Sequence, residues 1–282
     1  GLKMATFGFA PNIQRDSAVE LAKSTAAWLE DKGHTTVLLP ENAPQGTVPG
    51  RKGELDLVVS LGGDGTMLRA VGMVLGRSVP VLGVNFGRFG YLTAVEPDNL
   101  QHAIERFLDG DYHLDHRMTI DAQVVAKGAR RPRYNATGLN DIIIARPSGM
   151  HTINASVQIS GEGFLSYAAD SMIVSTPTGS TGYNLSARGP IISPKLRCLV
   201  LTPVAAHMLF DRSVVLDASH HVTFELHGRS PADLIVDGVP CGQLALGERL
   251  TCSAGVHDAI LVNFGGRSFE TVLKNKFHLT DR

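Results

Sequence analysis

Cysteine is scarce in this 282-residue chain: Cys198, Cys241 and Cys252 are the only three. They are scattered and lack metal-ligand spacing, which argues against a disulfide scaffold or a structural zinc. So few thiols suit a reducing compartment, and the cytoplasm is the expected location. Excess charge is lacking too. Lys and Arg number 26 against 27 Asp and Glu, a formal net charge of −1. That balance gives no general pull toward nucleic acid or an anionic membrane, so neither is an expected partner. Any phosphate recognition must be local. No apolar run approaches the ~18 residues of a spanning helix, and residues 1–12 lack the basic start and apolar stretch of a signal peptide. There is no internal repeat or low-complexity tract.

The length suits two domains. The first third alternates strand and helix. Residues 5–10 are a short apolar segment ending at the turn signal Pro11-Asn12. Asp16 and Ser17 can cap a helix running to Asp31, with Val19, Ala22, Ala26 and Leu29 at helical spacing. Gly33 ends it. Residues 35–39 read as a strand, and 40–53, rich in Pro and Gly, as a mobile loop. Residues 55–61 are apolar nearly throughout, as in parallel strands buried on both faces. A glycine turn, a helix over 67–75 and a strand over 79–84 follow. Pro97 suits the first turn of a helix presenting Leu100, Ala103, Ile104, Phe107 and Leu108 on one face.

After about Gly110 the period changes from 3.6 to 2. Met118, Ile120, Ala122 and Val124 alternate with polar residues; so do Ile153, Ala155, Val157 and Ile159, and Val222, Phe224 and Leu226. Such alternation marks half-buried antiparallel strands. The expected fold is therefore α/β + β. Residues 1–110 form an α/β, Rossmann-like domain and 111–264 a β-rich domain ending in a strand at 261–264. Residues 265–282 are a tail that returns to the first domain.

The strongest chemical signal is Gly62-Gly63-Asp64-Gly65-Thr66, between a buried strand and a helix. Glycines permit positive φ and let a ligand approach the backbone closely. Successive amides and a helix N-terminus then face an anion, so the turn suits phosphate. Asp64 repels phosphate and needs its own reason: it can hold Mg²⁺ or accept a proton from an attacking hydroxyl. A tight turn with Asp64 as a helix cap is the plainer reading. A second segment, residues 175–190, is dense in hydroxyls and glycines, with Tyr183 offering a ring and a phenol. That composition suits a ribose, an amide or a phosphate, and equally a surface loop.

Gly-Gly-Asp-Gly-Thr resembles the turn shared by NAD kinases, diacylglycerol and sphingosine kinases and, with variation, phosphofructokinases. Residues 176–190 resemble the NAD kinase signature T-P-T-G-S-T-A-Y-x-x-S-A-G-G-P, with Gly182 in place of Ala and Arg188 in place of Gly. Asn140-Asp141 resembles the family's N-E/D segment, an amide and an acid suited to base edges and amide donors. Asp170-Ser171-Met172 resembles its D-G-L segment, with Ser171 in place of Gly; there the acid contacts the ligand of a neighbouring subunit. Residues 85–93 resemble N-x-G-x-x-G-F-L, residues 203–207 resemble P-x-x-x-H, and Asp237-Gly238 resembles a D-G turn.

The resemblance implies a C-terminal β-sandwich-like domain, a site between the domains, and a homodimer or homotetramer. It implies transfer of a phosphoryl group from ATP or inorganic polyphosphate to the 2′-hydroxyl of the adenosine ribose of NAD. Asp64 is then the catalytic residue, Gly62, Gly63, Gly65 and Thr66 cradle phosphate, and Mg²⁺ is held mainly by phosphates, with Asp64 a further ligand. NAD would be held by Asp64, Gly65, Arg69, Phe86, Asn140, Asp141, His151, Asp170, Thr178, Ser180, Thr181, Gly182, Tyr183, Asn184, Leu185, Ser186 and Ala205. The rivals are a lipid kinase of the diacylglycerol or sphingosine type and a non-catalytic NAD(P) sensor on the same scaffold.

Overall fold

The computed structural model describes residues 4–41, 45 and 55–279. Most of the loop expected over 40–53 lies outside the described residues. Two compact units form: residues 1–116 with 259–282, and residues 117–258.

In chain order the first unit opens with β1 (Thr6–Pro11), α1 (Asp16–Asp31), β2 (Thr35–Leu38), β3 (Leu57–Gly62), α2 (Asp64–Val74), β4 (Val81–Asn85), α3 (Leu100–Leu108) and β5 (His113–Arg117). Next come β6 (Ile120–Val125), β7 (Pro132–Gly138), β8 (Asp141–Ala145), β9 (Ile153–Ile159), β10 (Glu162–Ala169) and β11 (Ser171–Ser175). The one-turn α4 (Tyr183–Ser186) precedes β12 (Cys198–Val204), β13 (Val214–Asp217), β14 (His221–His227), β15 (Ala232–Val236), β16 (Val239–Leu244) and β17 (Arg249–Ala254). Finally β18 (Ala259–Asn263) and α5 (Phe269–Lys276) belong to the first unit again.

The first unit's sheet has the order β2-β1-β3-β4-β18-β5. β1 pairs in parallel with β2 and β3, and β4 with β3 and β18. Every residue of β3 and β4 is buried, as their apolar sequences require. Ala18, Ala22 and Leu29 of α1 and Leu100, Ala103 and Ile104 of α3 pack against Phe7, Phe9, Leu57, Val59, Leu61, Leu82 and Val84. Burial of each large side chain contributes roughly 1.5–3 kcal/mol. α1 buries Ala18, Ala22, Thr25 and Leu29, one polar residue among them. Pro97 opens a short 3-10 turn, Pro97–Asn99, rather than α3 itself.

Two further elements differ from expectation. α2 begins at Asp64, before Met67, because Gly63 is extended (φ −121°, ψ −161°) and serves as its N-cap. Gly65 and Thr66 therefore lie inside the first turn. The strand expected at 261–264 as the last of the β domain is instead β18, parallel beside β4 with Leu261 opposite Val81. Its run Ala259-Ile260-Leu261-Val262 does not alternate with polar residues, and such a run suits a parallel strand covered on both faces.

The second unit holds two six-stranded sheets, β10-β9-β14-β17-β6-β7 and β13-β12-β11-β8-β15-β16. Their pairings are antiparallel. Val124, Val157 and Phe224 of one sheet share a core with Ile144, Val174, Leu201 and Leu234 of the other. The period-2 pattern thus closes as a sandwich.

Candidate active site

In an open parallel sheet, loops at the C-terminal strand ends bind ligands. β3 ends there in the Gly62–Thr66 turn and β4 in residues 86–93. The two are tied by the Phe86 amide donating to the Gly62 carbonyl at 2.7 Å. Gly62, Gly63 and Gly65 do not adopt positive φ, so close approach, rather than conformation, explains them. The space where side chains would stand on Gly63 and Gly65 is open. The first amides of α2 lack partners within the helix, and they face a site where an anion can sit.

Asp64 does not cap α2. Its carboxylate accepts the Tyr91 amide at 2.9 Å and the Leu92 amide at 3.0 Å. The 86–93 turn wraps so tightly that a Cβ on Gly90 would stand 2.4 Å from Asp64 Oδ1. Burial and the Asp64 charge both push the Tyr91 phenol up. A carboxylate held this way keeps a lone pair on each oxygen for a proton or a cation. Among the described residues no three His, Cys, Asp or Glu cluster as metal ligands. Arg69 is occupied elsewhere: Nη2 donates to the Pro11 carbonyl at 2.8 Å and Nη1 lies 3.6 Å from Glu41. Phe86 packs against the first unit's core.

In the second unit, residues 176–186 fold onto Asn140. The Thr176 amide donates to the Asn140 carbonyl at 2.9 Å, and the Gly179 amide donates to Thr176 Oγ1 at 3.0 Å. A Cβ on Gly179 would stand 2.0 Å from that same Asn140 carbonyl oxygen, so only glycine fits. Ser180 and Asn184 are fully buried and bond inward. The Asn184 amide donates to the Ser180 and Pro190 carbonyls, both at 3.0 Å, and accepts Thr202 Oγ1 at 2.6 Å. Thr178 is buried and accepts from Arg117 at 3.2 Å. Thr181, Gly182 and Leu185 are half-buried, while Tyr183 and Ser186 are exposed. The Asn140 amide nitrogen would lie 3.9 Å from a Cβ on Gly182. Arg188 occupies a left-handed conformation, φ +65°, where the related signature has Gly.

Asp237 was not among the expected binding residues. It accepts the amides of Leu139 at 2.8 Å, Asn140 at 2.7 Å and Asp141 at 3.2 Å. Only its Asp-Gly turn pattern hinted at it. Burial raises the Asp237 carboxyl, and the three amides oppose that rise. Burial, then the Asp237 charge, pushes Asp141 up to about 7 from 3.8. A buried carboxyl and a half-buried one side by side cannot both be charged cheaply. Asp237, with three N–H donors, carries the charge, and Asp141 keeps the proton below about pH 7.

The sign of the resulting pH dependence is fixed. The folded state retains a proton on Asp141 that the unfolded chain releases near 3.8. Its contribution is greatest at acid pH, falls as pH rises to about 7, and is flat beyond. The slope in that window is at most ~1.4 kcal/mol per pH unit. Asp141→Asn should abolish this slope. Urea midpoints at pH 5, 6, 7 and 8 check it: parallel curves for wild type and variant would contradict the assignment.

Asp170, His151 and Ala205 lie at the other end of the same sheet. β8 and β11 pair with Ser175 opposite Asp141 and Ser171 opposite Ala145. Asp170 is ion-paired with Arg146 at 3.1 Å, and its amide donates to the Val204 carbonyl at 3.0 Å, next to Ala205. Arg146 also donates to the Met150 carbonyl at 2.8 Å, just before the exposed His151. Five-residue strands separate the two groups by roughly 17 Å.

An open glycine turn heading a helix, at the C-terminal edge of a parallel sheet and with one carboxylate fixed beside it, suits a phosphotransferase. Residues 41–112 match the ATP-NAD kinase N-terminal domain and residues 139–264 the ATP-NAD kinase C-terminal domain. The chain belongs to the ATP-NAD kinase family. It is 35% identical to an NAD kinase of Heliobacterium modesticaldum, over 97% of this chain and 98% of that protein. It is 36% identical to one of Bdellovibrio bacteriovorus, over 98% and 93%. The fold is that of yeast NADH kinase complexed with NADH (TM-score 0.88, 23% identity, 99% and 89% covered). An NAD kinase from Archaeoglobus fulgidus in complex with ATP is also similar (TM-score 0.70, 22% identity, 98% and 97% covered).

Proposed function

We infer that this chain works as an NAD kinase, moving the terminal phosphoryl group of ATP to the 2′-hydroxyl of the adenosine ribose of NAD and giving NADP. The observation that carries the chemistry is the Asp64 carboxylate, held by two backbone amides beside an open glycine turn. Asp64 takes the proton of the attacking hydroxyl as the new O–P bond forms and the bond to the departing ADP breaks. The turn amides of Gly63, Gly65 and Thr66 hold phosphate oxygens. Positioning and electrostatics supply most of the rate in such transfers.

Mg²⁺ suits this site when carried by the donor phosphates, because the described residues offer no protein-only cage. When bound, its charge would offset that of the phosphates, with Asp64 as the protein residue that would hold it. Asn140, Asp141, the half-buried Thr181 and the exposed Tyr183 and Ser186 hold NAD. The inward bonds of Ser180 and Asn184 support a role in shaping that segment. Asp170, His151 and Ala205 serve a second copy of the chain, in a homodimer or homotetramer. Their separation from Asn140 along β8 and β11 supports this reading. Three free cysteines support a reducing, cytoplasmic setting, and among the described residues no helix is long and apolar enough to cross a membrane.

The test is NADP formation from NAD and Mg²⁺ with ATP, and separately with inorganic polyphosphate. Product names the donor. Folded protein that binds NAD yet yields no NADP with either donor would favour the sensor reading.

A further inference from the structure

The segment after β18 touches the turn that holds Asp64 at two points. Arg267 Nη1 donates to the Thr93 carbonyl at 2.6 Å, and its guanidinium lies 4.2 Å from the centre of the Phe89 ring. Lys276, at the end of α5, donates from Nζ to the Phe89 carbonyl at 2.7 Å and sits 5.3 Å from the Tyr91 ring centre. The helix that carries Lys276 is itself capped, Ser268 accepting the Thr271 amide at 3.2 Å. Phe89 and Thr93 bracket Tyr91 and Leu92, whose amides hold the Asp64 carboxylate. Arg267 is drawn partly out of water here. Burial lowers its pKa, against the opposing charges of Glu96 and Asp64.

We propose that Arg267 and Lys276 are positioning residues for phosphoryl transfer, gripping the 86–93 turn at Phe89 and Thr93, on either side of Tyr91 and Leu92, so that its amides fix the Asp64 carboxylate. Each cation acts through the backbone of the turn, Arg267 at the Thr93 carbonyl and Lys276 at the Phe89 carbonyl. Both donors are charged and both acceptors are backbone carbonyls, so these bonds are stronger than neutral ones. The cations also lie over aromatic faces, which adds attraction. A general base displaced by about 1 Å loses on the order of 10²-fold in rate. NAD recognition, assigned to other residues, is left alone.

The proposal rests on the role given to Asp64, and the experiment separates the two. Arg267→Met, Lys276→Met, Arg267→Lys and Asp64→Asn are assayed for kcat and for KM toward NAD. Calorimetry gives NAD stoichiometry as the measure of folded protein. Arg267→Met should lower kcat roughly 10–100-fold, with KM and stoichiometry within about twofold of wild type. Lys276→Met should lower kcat roughly tenfold. Arg267→Lys, which keeps a cationic donor, should recover much of the loss. The proposal fails if both methionine variants keep wild-type kcat, or if kcat falls only in proportion to NAD stoichiometry. Should Arg267→Met not fold, Lys276→Met decides alone. Normal turnover by Asp64→Asn would instead remove the base itself, and this proposal with it.

Discussion

Asp64→Asn should lower kcat by roughly 10²–10⁴-fold, the usual contribution of a general base, while NAD binds as before. In free energy that is about 3–5 kcal/mol on the barrier. The substitution is nearly isosteric but alters two things. It removes the proton acceptor, and it replaces one oxygen that accepts an amide with an NH₂ group. Either Tyr91 or Leu92, which donate at 2.9 and 3.0 Å, then loses its partner. The 86–93 turn cannot simply swing away, because Gly90 packs against Asp64. A local loss of about 1–3 kcal/mol in stability should therefore accompany the kinetic loss. Stopped assays for NADP, thermal melting and calorimetry separate the effects. A variant that binds NAD normally and turns over within a few-fold of wild type would end the base assignment.

Asp237→Ala should be the most damaging substitution in the second unit. It strips the acceptor from three amides, those of Leu139, Asn140 and Asp141. A buried N–H left without an acceptor costs about 1–3 kcal/mol. Relief of repulsion with Asp141 returns only part of this, since Asp141, pushed up to about 7, is charged only about half the time at neutral pH. The denaturant midpoint should fall accordingly, and NAD affinity with it, because the released segment carries Asn140. Asp237→Asn keeps one acceptor oxygen and should lose less. Unchanged midpoint and unchanged NAD affinity in Asp237→Ala would show that the clamp has no such role.

Much of this architecture was legible locally. The apolar run in β3, the glycine turn after it and the alternation in β6, β9 and β14 each express one physical rule over a few residues. The family resemblance was legible in the Gly62–Thr66 turn and in residues 176–190, and both halves of the chain match that family. What escaped reading is long-range. Beyond its Asp-Gly pattern, nothing near Asp237 announces that it binds amides 96–98 positions away. Lys276 meets Phe89 across 187 positions. Ser180 and Asn184 have the composition of ligand contacts, yet their bonds run inward, a distinction that depends on which way a short turn faces. β18 lies in the first sheet and not the second, a choice that a four-residue apolar run leaves open. Only its lack of alternation favours the parallel one.

The position of β18 has a consequence for the order in which the molecule is made. The first sheet needs a strand that leaves the ribosome only after the whole second unit. At 5–20 residues per second, that delay is roughly ten to thirty seconds. Until then β4 has an unfilled edge, and the turn around Asp64 lacks both of its cations. A nascent chain therefore carries an unfinished Gly62–Thr66 turn throughout synthesis of the sandwich, and a ribosome that stalls before β18 releases a product whose first sheet was never closed.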